Sequence, residues 1–325
     1  MKNIVIIATG GTIAGKGQNG KTVVYRAGEI DMQEILESLP EINKLAHLKA
    51  IQLYNIDSNE MDEQKWMTLS NLINTLVLEE DVDGIVVTHG TDCIEETSYY
   101  LTLTINTNKP VVLTGAMRPA TATSADGPFN LYQAVSLACH NEAYGKGVMV
   151  LFSNTIYSGR DVQKVNNFKV DAFGQKTFGC LGYMQDEKAY FFSDTFKKHT
   201  VQSLFAGNYS SLPKVSIALF YAGATEDILY HLAEENEGIV LVGSGSGNYN
   251  ERWKRAIEDL SKEGIIFVRS SRVQEGIVFD DDIFDPNHYC IPSNTLSGQK
   301  ARVLLMLALK KTKNREQIRQ IFNLY

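Results

Sequence analysis

Two stretches of the sequence place hydroxyl and carboxylate side chains directly after short apolar runs. Residues 4–8 are followed by two glycines and Thr12, and residues 84–88 are followed by Thr91 and Asp92. Apolar runs rich in β-branched residues predict strands that are buried on both faces of a sheet. A hydroxyl beside an activating group at the end of such a strand is suited to nucleophilic attack.

The adjacent glycines Gly10 and Gly11 are open to two interpretations. A turn after a strand needs glycine for its shape alone. Two glycines also bring backbone N–H groups close to a ligand, where they can stabilise an oxyanion. The second stretch favours a role in binding, because two strand ends of one parallel sheet would face each other across a cleft.

The composition excludes several classes of protein. With 325 residues, 44% hydrophobic and 21% charged, the chain is typical of a globular protein with one large or two medium domains. The net charge of −7 argues against nucleic acid or an anionic membrane as the main partner. The four cysteines and six histidines lack metal-ligand spacing, so we expect no metal and no cofactor.

Strand-like and helix-like segments alternate along the chain, which predicts a doubly wound α/β fold. We expect a larger N-terminal catalytic domain with a mainly parallel sheet over residues 1–192. A polar linker is predicted over residues 193–212, and a smaller α/β domain over residues 213–325. Residues 153–192 are less regular. The helix predicted over 126–140 has Phe129 on its apolar side.

Residues 15–22 fit the phosphate-loop pattern G-x-x-x-x-G-K-[ST]. That motif binds phosphate only between a strand and a helix N-terminus. Here residues 9–14 intervene, and the sequel Val23-Val-Tyr-Arg26 is typical of extended chain. The segment is therefore interpreted as a mobile lid that carries Tyr25 towards the cleft.

Two further polar groups have alternative interpretations. Residues 57–60 could cap the following helix, or their free N–H groups could bind a carboxylate. Lys164, among polar loop residues, is by itself typical of a solvated side chain.

Several motifs resemble those of the bacterial L-asparaginases, most closely their type II branch. Two segments of this chain are similar to the two main signatures of that family: Ala8-Thr-Gly-Gly-Thr-Ile-Ala-Gly15 and Val87-Thr-His-Gly-Thr-Asp92. The likeness continues through Gly115-Ala-Met-Arg-Pro119, Ser124-Ala-Asp-Gly-Pro128, Arg269-Ser-Ser-Arg-Val273 and Gln299-Lys-Ala-Arg-Val-Leu-Leu305. It therefore extends over nearly the whole chain, in order.

The resemblance implies hydrolysis of L-asparagine to L-aspartate and ammonia through a threonine acyl-enzyme. Thr12 matches the nucleophile, with Tyr25 as its neighbour. Thr91, Asp92 and Lys164 match a second catalytic set, in which the lysine lowers the cost of deprotonating Thr91. Which threonine attacks first stays open, because both have an activating partner.

The resemblance also implies which residues bind the substrate. Asp92 matches the group that binds the α-ammonium, and Ser58 the group that binds the α-carboxylate. Asn248 and Asp282 match positions that complete the site from a neighbouring subunit of a homotetramer. The full implied set is Gly11, Ser58, Asn59, Thr91, Asp92, Ala116, Asn248 and Asp282.

The sequence leaves the selectivity between asparagine and glutamine open. Asp57 and Asn59 stand where the family commonly has Gly and Gln, so a broad glutaminase-asparaginase is the alternative function. A non-catalytic amino-acid-binding protein would not need Thr12, Thr91 and Lys164 together. A subunit of a tRNA amidotransferase would need a tRNA partner, which the acidic charge disfavours.

The compartment is predicted from the chain start and the cysteines. Residues 1–3 lead straight into the first strand without a signal peptide, and the cysteine positions do not match the disulfide of some secreted relatives. We therefore expect a cytoplasmic protein, with the periplasm as the alternative if a leader was removed.

Overall fold

The computed structural model describes residues 1–21, 25–175 and 177–325, and the Tyr25 side chain lies outside the described part. The chain divides into two compact units, Met1–Ser210 and Ser211–Tyr325. Each unit has its own β-sheet covered by helices.

The first unit contains an eight-stranded sheet. Its strands are β1 (Lys2–Gly10), β4 (Ala46–Ile56), β5 (Gly84–Thr88), β6 (Val111–Thr114), β7 (Val148–Phe152), β8 (Thr155–Ser158), β11 (Gly182–Gln185) and β12 (Lys188–Phe191). They stand in the order β12-β11-β8-β7-β6-β5-β1-β4. The five strands from β7 to β4 in this order are parallel, and β8, β11 and β12 extend the sheet in antiparallel pairs.

The strand β1 lies inside this sheet, between β4 and β5. Ile4 and Ile6 pack in one core with the helices α1 (Met32–Glu37) and α4 (Gly127–Cys139). Val5 and Ile7, on the opposite face, are equally buried. Both faces of β1 are therefore covered, as expected for a run of β-branched residues in a parallel sheet.

The helices α2 (Glu63–Leu76) and α3 (Ile94–Thr104) complete the first unit. The Asp62 carboxylate caps α2 by accepting from the Lys65 backbone N. The interpretation in which residues 57–60 cap this helix is therefore wrong. Asp57 instead caps a separate short 3-10 turn, Ser58–Glu60. Ser58 is consequently held in a turn of its own at the end of β4.

Two details of the predicted fold need correction. Residues 153–192 are more regular than expected, because they contain β8, β11, β12 and a small hairpin of β9 (Gln163–Lys164) and β10 (Phe173–Gly174). These strands are too short to show a clear alternation in sequence. Phe129 is exposed, because α4 buries the side formed by Leu131, Ala134 and Val135 instead.

The chain between the sheets is packed on the first unit up to residue 209. The Asn71 amide donates to the carbonyl of Tyr209, and Asn74 donates to the carbonyl of Gly207. The Phe205 side chain is fully buried. The boundary between the two units follows Ser210.

The second unit is a four-stranded parallel sheet. Its strands, in spatial order, are β13 (Val215–Leu219), β14 (Gly238–Gly243), β15 (Ile266–Ser271) and β16 (Cys290–Pro292). Its helices are α5 (Asp227–Ala233), α6 (Glu251–Lys262), α7 (Gly298–Lys311) and α8 (Arg315–Leu324). The predicted fold class is confirmed: a larger, mainly parallel α/β unit precedes a smaller α/β unit.

Among the described residues, every helix is too short or too polar to span a lipid bilayer.

Candidate active site

The ends of β1 and β5 are held together by glycines. The two strands are neighbours, paired from Ile4 with Gly84 to Ala8 with Thr88. A Cβ added to Gly11 would lie 2.5 Å from the backbone N of Gly90, and one on Gly90 would lie 2.7 Å from Oγ of Ser58. Only hydrogen atoms fit at these two positions. Because neither glycine has a side chain, the turns that carry Thr12, Ser58 and Thr91 can approach one another at one edge of the sheet.

Thr12 begins a short 3-10 turn, Thr12–Ala14, directly after this contact. The residue is buried, with 7% of its surface exposed. Gly11 has a φ of +81°, a conformation that L side chains rarely adopt. The backbone N of Gly11 donates to the carbonyl of Ile56 at 2.9 Å. An oxyanion hole at this turn would therefore have to use N–H groups other than that of Gly11.

A cluster of candidate catalytic groups surrounds Lys164. Its Nζ donates to Thr91 Oγ1 at 2.8 Å and forms an ion pair with Asp92 Oδ1. Its backbone N donates to the carboxylate of Glu95, in the first turn of α3, at 3.0 Å. The side chain of Lys164 is only 16% exposed. The interpretation of Lys164 as a solvated loop residue is therefore wrong, because β9 directs it at the end of β5.

Asp92 is an anion with open access. The hydrogen bond from Lys164 lowers the pKa of Asp92, partial burial opposes this effect, and a hydrogen bond from Asn59 adds to it. The side chain remains 53% exposed. Asp92 therefore carries a negative charge at neutral pH and can contact a cationic group of a ligand.

The turn at Ser58 is attached to the same cluster. The Ser58 hydroxyl oxygen accepts from the backbone N of Asp92 at 3.2 Å. Asn59 Nδ2 donates to Asp92 Oδ2 at 3.3 Å. Ser58 is almost fully buried, and Asn59 is exposed. The end of β4 thus contributes to the site as well as the ends of β1 and β5.

The remaining predicted site residues lie in different surroundings. Ala116 is fully buried just after β6. In the second unit, Asn248 closes a turn, and the backbone N of Asn248 donates to the Ser244 carbonyl at 2.7 Å. Asp282, also in that unit, is exposed, and its carboxylate lies 3.3 Å from Nε2 of His288. The side chain of Tyr25 lies outside the described residues.

Sequence reasoning missed a buried polar chain behind Thr91. His89 Nδ1 donates to the carbonyl of Gly90 at 2.7 Å, and its Nε2 accepts from Thr97 Oγ1 at 3.0 Å. Trp66 Nε1 donates to the same hydroxyl at 2.9 Å. The chain connects α2 and α3 to the turn that carries Thr91. The sequence signal that could have identified it is the histidine of the second signature, His89, which stands between a threonine and a glycine.

The buried position of His89 predicts acid sensitivity. Burial lowers the pKa of His89 to about 4, and its hydrogen bond to Gly90 opposes this effect. An unfolded histidine titrates near 6.5, so between these values the unfolded chain binds a proton that the folded chain does not. The free energy of unfolding should therefore fall by about 3 kcal/mol from this group as the pH drops from 7 to 4.

The check is urea unfolding of wild type and His89→Gln at pH 7 and at pH 4. We expect the loss of stability between these pH values to be smaller in the variant. His231→Gln is the control, because the His231 side chain is 79% exposed. Equal pH dependence of wild type and His89→Gln would contradict the buried neutral histidine.

Three alternative chemistries find little support in the described residues. Burial, reinforced by the nearby Glu96 carboxylate, raises the pKa of the Cys93 thiol to about 12, so it is a poor nucleophile at neutral pH. In the described part of the chain, no three His, Cys, Asp or Glu side chains stand close enough to hold a metal ion. The phosphate-loop pattern begins at Gly15 and continues into β2 (Lys16–Gly17), which pairs with β3 (Tyr25–Arg26), and its Thr22 lies outside the described residues.

Two family models match the chain. Residues 3–197 match the model described as "Asparaginase, N-terminal". Residues 214–322 match the model described as "Glutaminase/Asparaginase C-terminal domain". The matches fall on the first and the second unit and together include most of the chain.

Curated relatives are similar over nearly their full lengths. "Probable L-asparaginase periplasmic" from Haemophilus influenzae is 42% identical, over 99% of this chain and 93% of the relative. "L-asparaginase 2" from Escherichia coli is 41% identical, over 100% and 94%. "Glutaminase-asparaginase" from Pseudomonas fluorescens is 37% identical, over 99% and 90%.

A solved structure has the same fold. It is a crystal structure of the "Probable Cytoplasmic L-asparaginase" from Campylobacter jejuni, with a TM-score of 0.96 and 43% identity over 100% of both chains. The similarity of sequence and of fold therefore extends from end to end. The resemblance carried by the two threonine signatures is confirmed, and the chain belongs to the asparaginase family.

Proposed function

We propose that this member of the family hydrolyses L-asparagine to L-aspartate and ammonia, with a threonine ester as the covalent intermediate. The observation that carries the proposal is the contact of Lys164 with Thr91 and Asp92 beside the turn of Thr12. Hydroxyl, ammonium and carboxylate groups at one edge of a parallel sheet are the groups that acyl transfer requires.

Substrate binding uses the charges of the site. Asp92, held anionic by Lys164, binds the α-ammonium of asparagine through a charge-assisted hydrogen bond. Ser58 binds the α-carboxylate from its 3-10 turn, and Gly11 and Ala116 contact the substrate from the ends of β1 and β6. These contacts direct the side-chain amide towards the two threonines.

The reaction then proceeds in two acyl transfers. A threonine oxygen, assigned here to Thr12, attacks the amide carbon, and the C–N bond breaks. The hydroxyl proton leaves with the amine as ammonia, and an aspartyl ester remains. Water attacks the ester, which releases L-aspartate and restores the hydroxyl.

Proton transfer is assigned to Thr91 and Lys164. The Lys164 ammonium donates to Thr91 Oγ1, so it stabilises negative charge that develops on this oxygen. Thr91 is thereby suited to relay protons: it takes one from the attacking hydroxyl or from water and gives its own to the leaving amine or to the leaving ester oxygen of Thr12. Tyr25 is proposed as the hydrogen-bonded neighbour of Thr12.

A broad glutaminase-asparaginase is the second candidate. A curated relative at 37% identity carries that name. Glutamine is one methylene longer than asparagine, and a hydrophobic pocket distinguishes such a pair by about 10- to 200-fold at most. The size of the space beside Asp57 and Asn59 would decide between the two substrates.

The deciding experiment is ammonia release from L-asparagine and L-glutamine, measured side by side on the wild-type protein. We expect L-asparagine to be the preferred substrate, with a kcat/KM at least about tenfold higher than that for L-glutamine. Similar values would assign the chain to the broad-specificity enzymes. No ammonia from either amide would contradict the proposed function.

Assembly and compartment are further parts of the proposal. In a homotetramer, Asn248 and Asp282 would complete the site of a neighbouring subunit. The cytoplasm is the proposed compartment, and the periplasm is the alternative. The four free cysteines support the cytoplasm, because thiols persist in reducing compartments. Among the relatives, one is named a periplasmic L-asparaginase and another a cytoplasmic L-asparaginase.

A further inference from the structure

A second set of hydrogen bonds joins Asp57, Asn59 and Asp92. Asp57 Oδ1 accepts from the backbone N of Asn59 at 2.9 Å and from its Nδ2 at 2.8 Å. The same Nδ2 donates to Asp92 Oδ2 at 3.3 Å. Because Lys164 is bonded to the other oxygen of Asp92, each oxygen of this carboxylate has a different partner. Asp57 therefore acts on Asp92 through the Asn59 amide.

These contacts define which way the Asn59 amide is oriented. Its Nδ2 carries two hydrogens, and a carboxylate oxygen accepts each of them. The opposite orientation would place Oδ1 against two anionic oxygens, which would repel it. Asp57 thus keeps the amide nitrogen on the carboxylates and leaves Oδ1 as the acceptor end of an exposed side chain.

The charges indicate what this arrangement binds. Asp57 and Asp92 carry two negative charges, and Lys164 carries one positive charge. The acceptor oxygen of Asn59 adds further negative potential. A cationic group is favoured at such a position, and L-asparagine carries one in its α-ammonium.

We propose that Asp57 is a positioning residue that makes the site select amides with an α-ammonium, by orienting Asn59 beside Asp92. The inference rests on the proposed function, because it concerns the substrate of the same site. It adds a specificity-determining role to a residue whose own carboxylate accepts hydrogen bonds from the backbone N and the Nδ2 of Asn59, within the Ser58–Glu60 turn.

The test compares two ligands that differ in the ammonium alone. L-aspartate and succinate are titrated calorimetrically into wild type, Asp57→Ala and Asp57→Asn. We expect the Kd of L-aspartate to rise about tenfold in Asp57→Ala, because a charge-assisted contact is lost. Asp57→Asn keeps an acceptor for Asn59 but loses the charge, so a rise of about threefold is expected. The Kd of succinate should change by less than about twofold in both variants.

The control is Asp62→Ala. Asp62 caps α2 as Asp57 caps its turn, by accepting from a backbone N at 2.8 Å, and its side chain is bonded to Lys65 rather than to Asn59. This variant should bind both ligands as wild type does. In kinetics, Asp57→Ala should raise the KM for L-asparagine and leave kcat within about twofold, as expected for lost ground-state binding.

The possible outcomes separate this inference from the proposed function. Equal loss of L-aspartate and succinate binding in Asp57→Ala would mean that Asp57 only supports the turn, and the inference would fail while wild-type ammonia release still held. Unchanged L-aspartate binding would overturn it as well. If wild type released no ammonia, the function would fail, and the comparison of the two ligands would still decide the role of Asp57.

Discussion

Replacing Thr12 by alanine should lower kcat for L-asparagine about ten-thousand-fold, because loss of a nucleophile removes the covalent route altogether. Thr12 is the hydroxyl that the contact between Gly11 and Gly90 places at the shared edge of β1 and β5. Ammonia release under saturating substrate is the measurement. Thr12→Ser is the matched control, since it keeps the hydroxyl and should retain measurable activity.

Thr91→Ala should be nearly as inactive, but for a different reason. It removes the oxygen that Lys164 contacts at 2.8 Å, and with it the proposed proton carrier. If Thr12 attacks first, this variant should accumulate an aspartyl ester on Thr12, which intact-mass spectrometry would detect after mixing with L-asparagine. An ester found on Thr91 in the Thr12→Ala variant would reverse the order. Full activity of either alanine variant would remove that threonine from the mechanism.

The two threonines could be located from sequence because their signals are local. Each follows an apolar run and a glycine within a few residues, and the run itself defines the strand end. The parallel pairing of β1 with β5 then follows from the alternation of strands and helices. Local pattern and fold class together were sufficient for this part of the site.

Lys164 is a contrasting case. Its partner Thr91 is 73 residues away, and the segment that carries it has no clear period in sequence. The lysine reaches the site because a two-residue strand pairs with Phe173–Gly174 and because Glu95 accepts from its backbone N. Only the resemblance to a family could identify it, since contacts of this range are decided by tertiary packing.

The capping of α2 shows why even local chemistry can be ambiguous. Asp57 and Asp62 are both good N-cap residues ahead of the same apolar pattern. The structure uses both, Asp57 for the 3-10 turn and Asp62 for the helix. Because helix boundaries are defined by only a few hydrogen bonds, sequence could not tell which aspartate belonged to which element. Asn59 lies in the separate turn that Asp57 caps, rather than in the helix that Asp62 caps, and it contacts Asp92 from that turn.

The second large effect is expected at Gly11. A Cβ there would lie 2.5 Å from N and 2.6 Å from Cα of Gly90, and backbone atoms cannot move aside as a flexible side chain can. Gly11→Ala should therefore destabilise the protein by about 4 kcal/mol, as the sum of strain at positive φ and backbone overlap. The midpoint of thermal unfolding, Tm, should therefore fall by about 10 °C.

Gly145→Ala is the matched control for Gly11→Ala. Gly145 has a similar φ, +76° against +81°, but no atom of the described residues lies within 4 Å of the position of its Cβ. Alanine at Gly145 should therefore cost only the strain, about 1 kcal/mol, and leave ammonia release intact. In folded Gly11→Ala, the ends of β1 and β5 must separate, and a displacement of about 1 Å between reacting groups lowers kcat about a hundredfold. If both variants lost the same stability and kept full activity, the contact of the two glycine turns would not be what assembles the site.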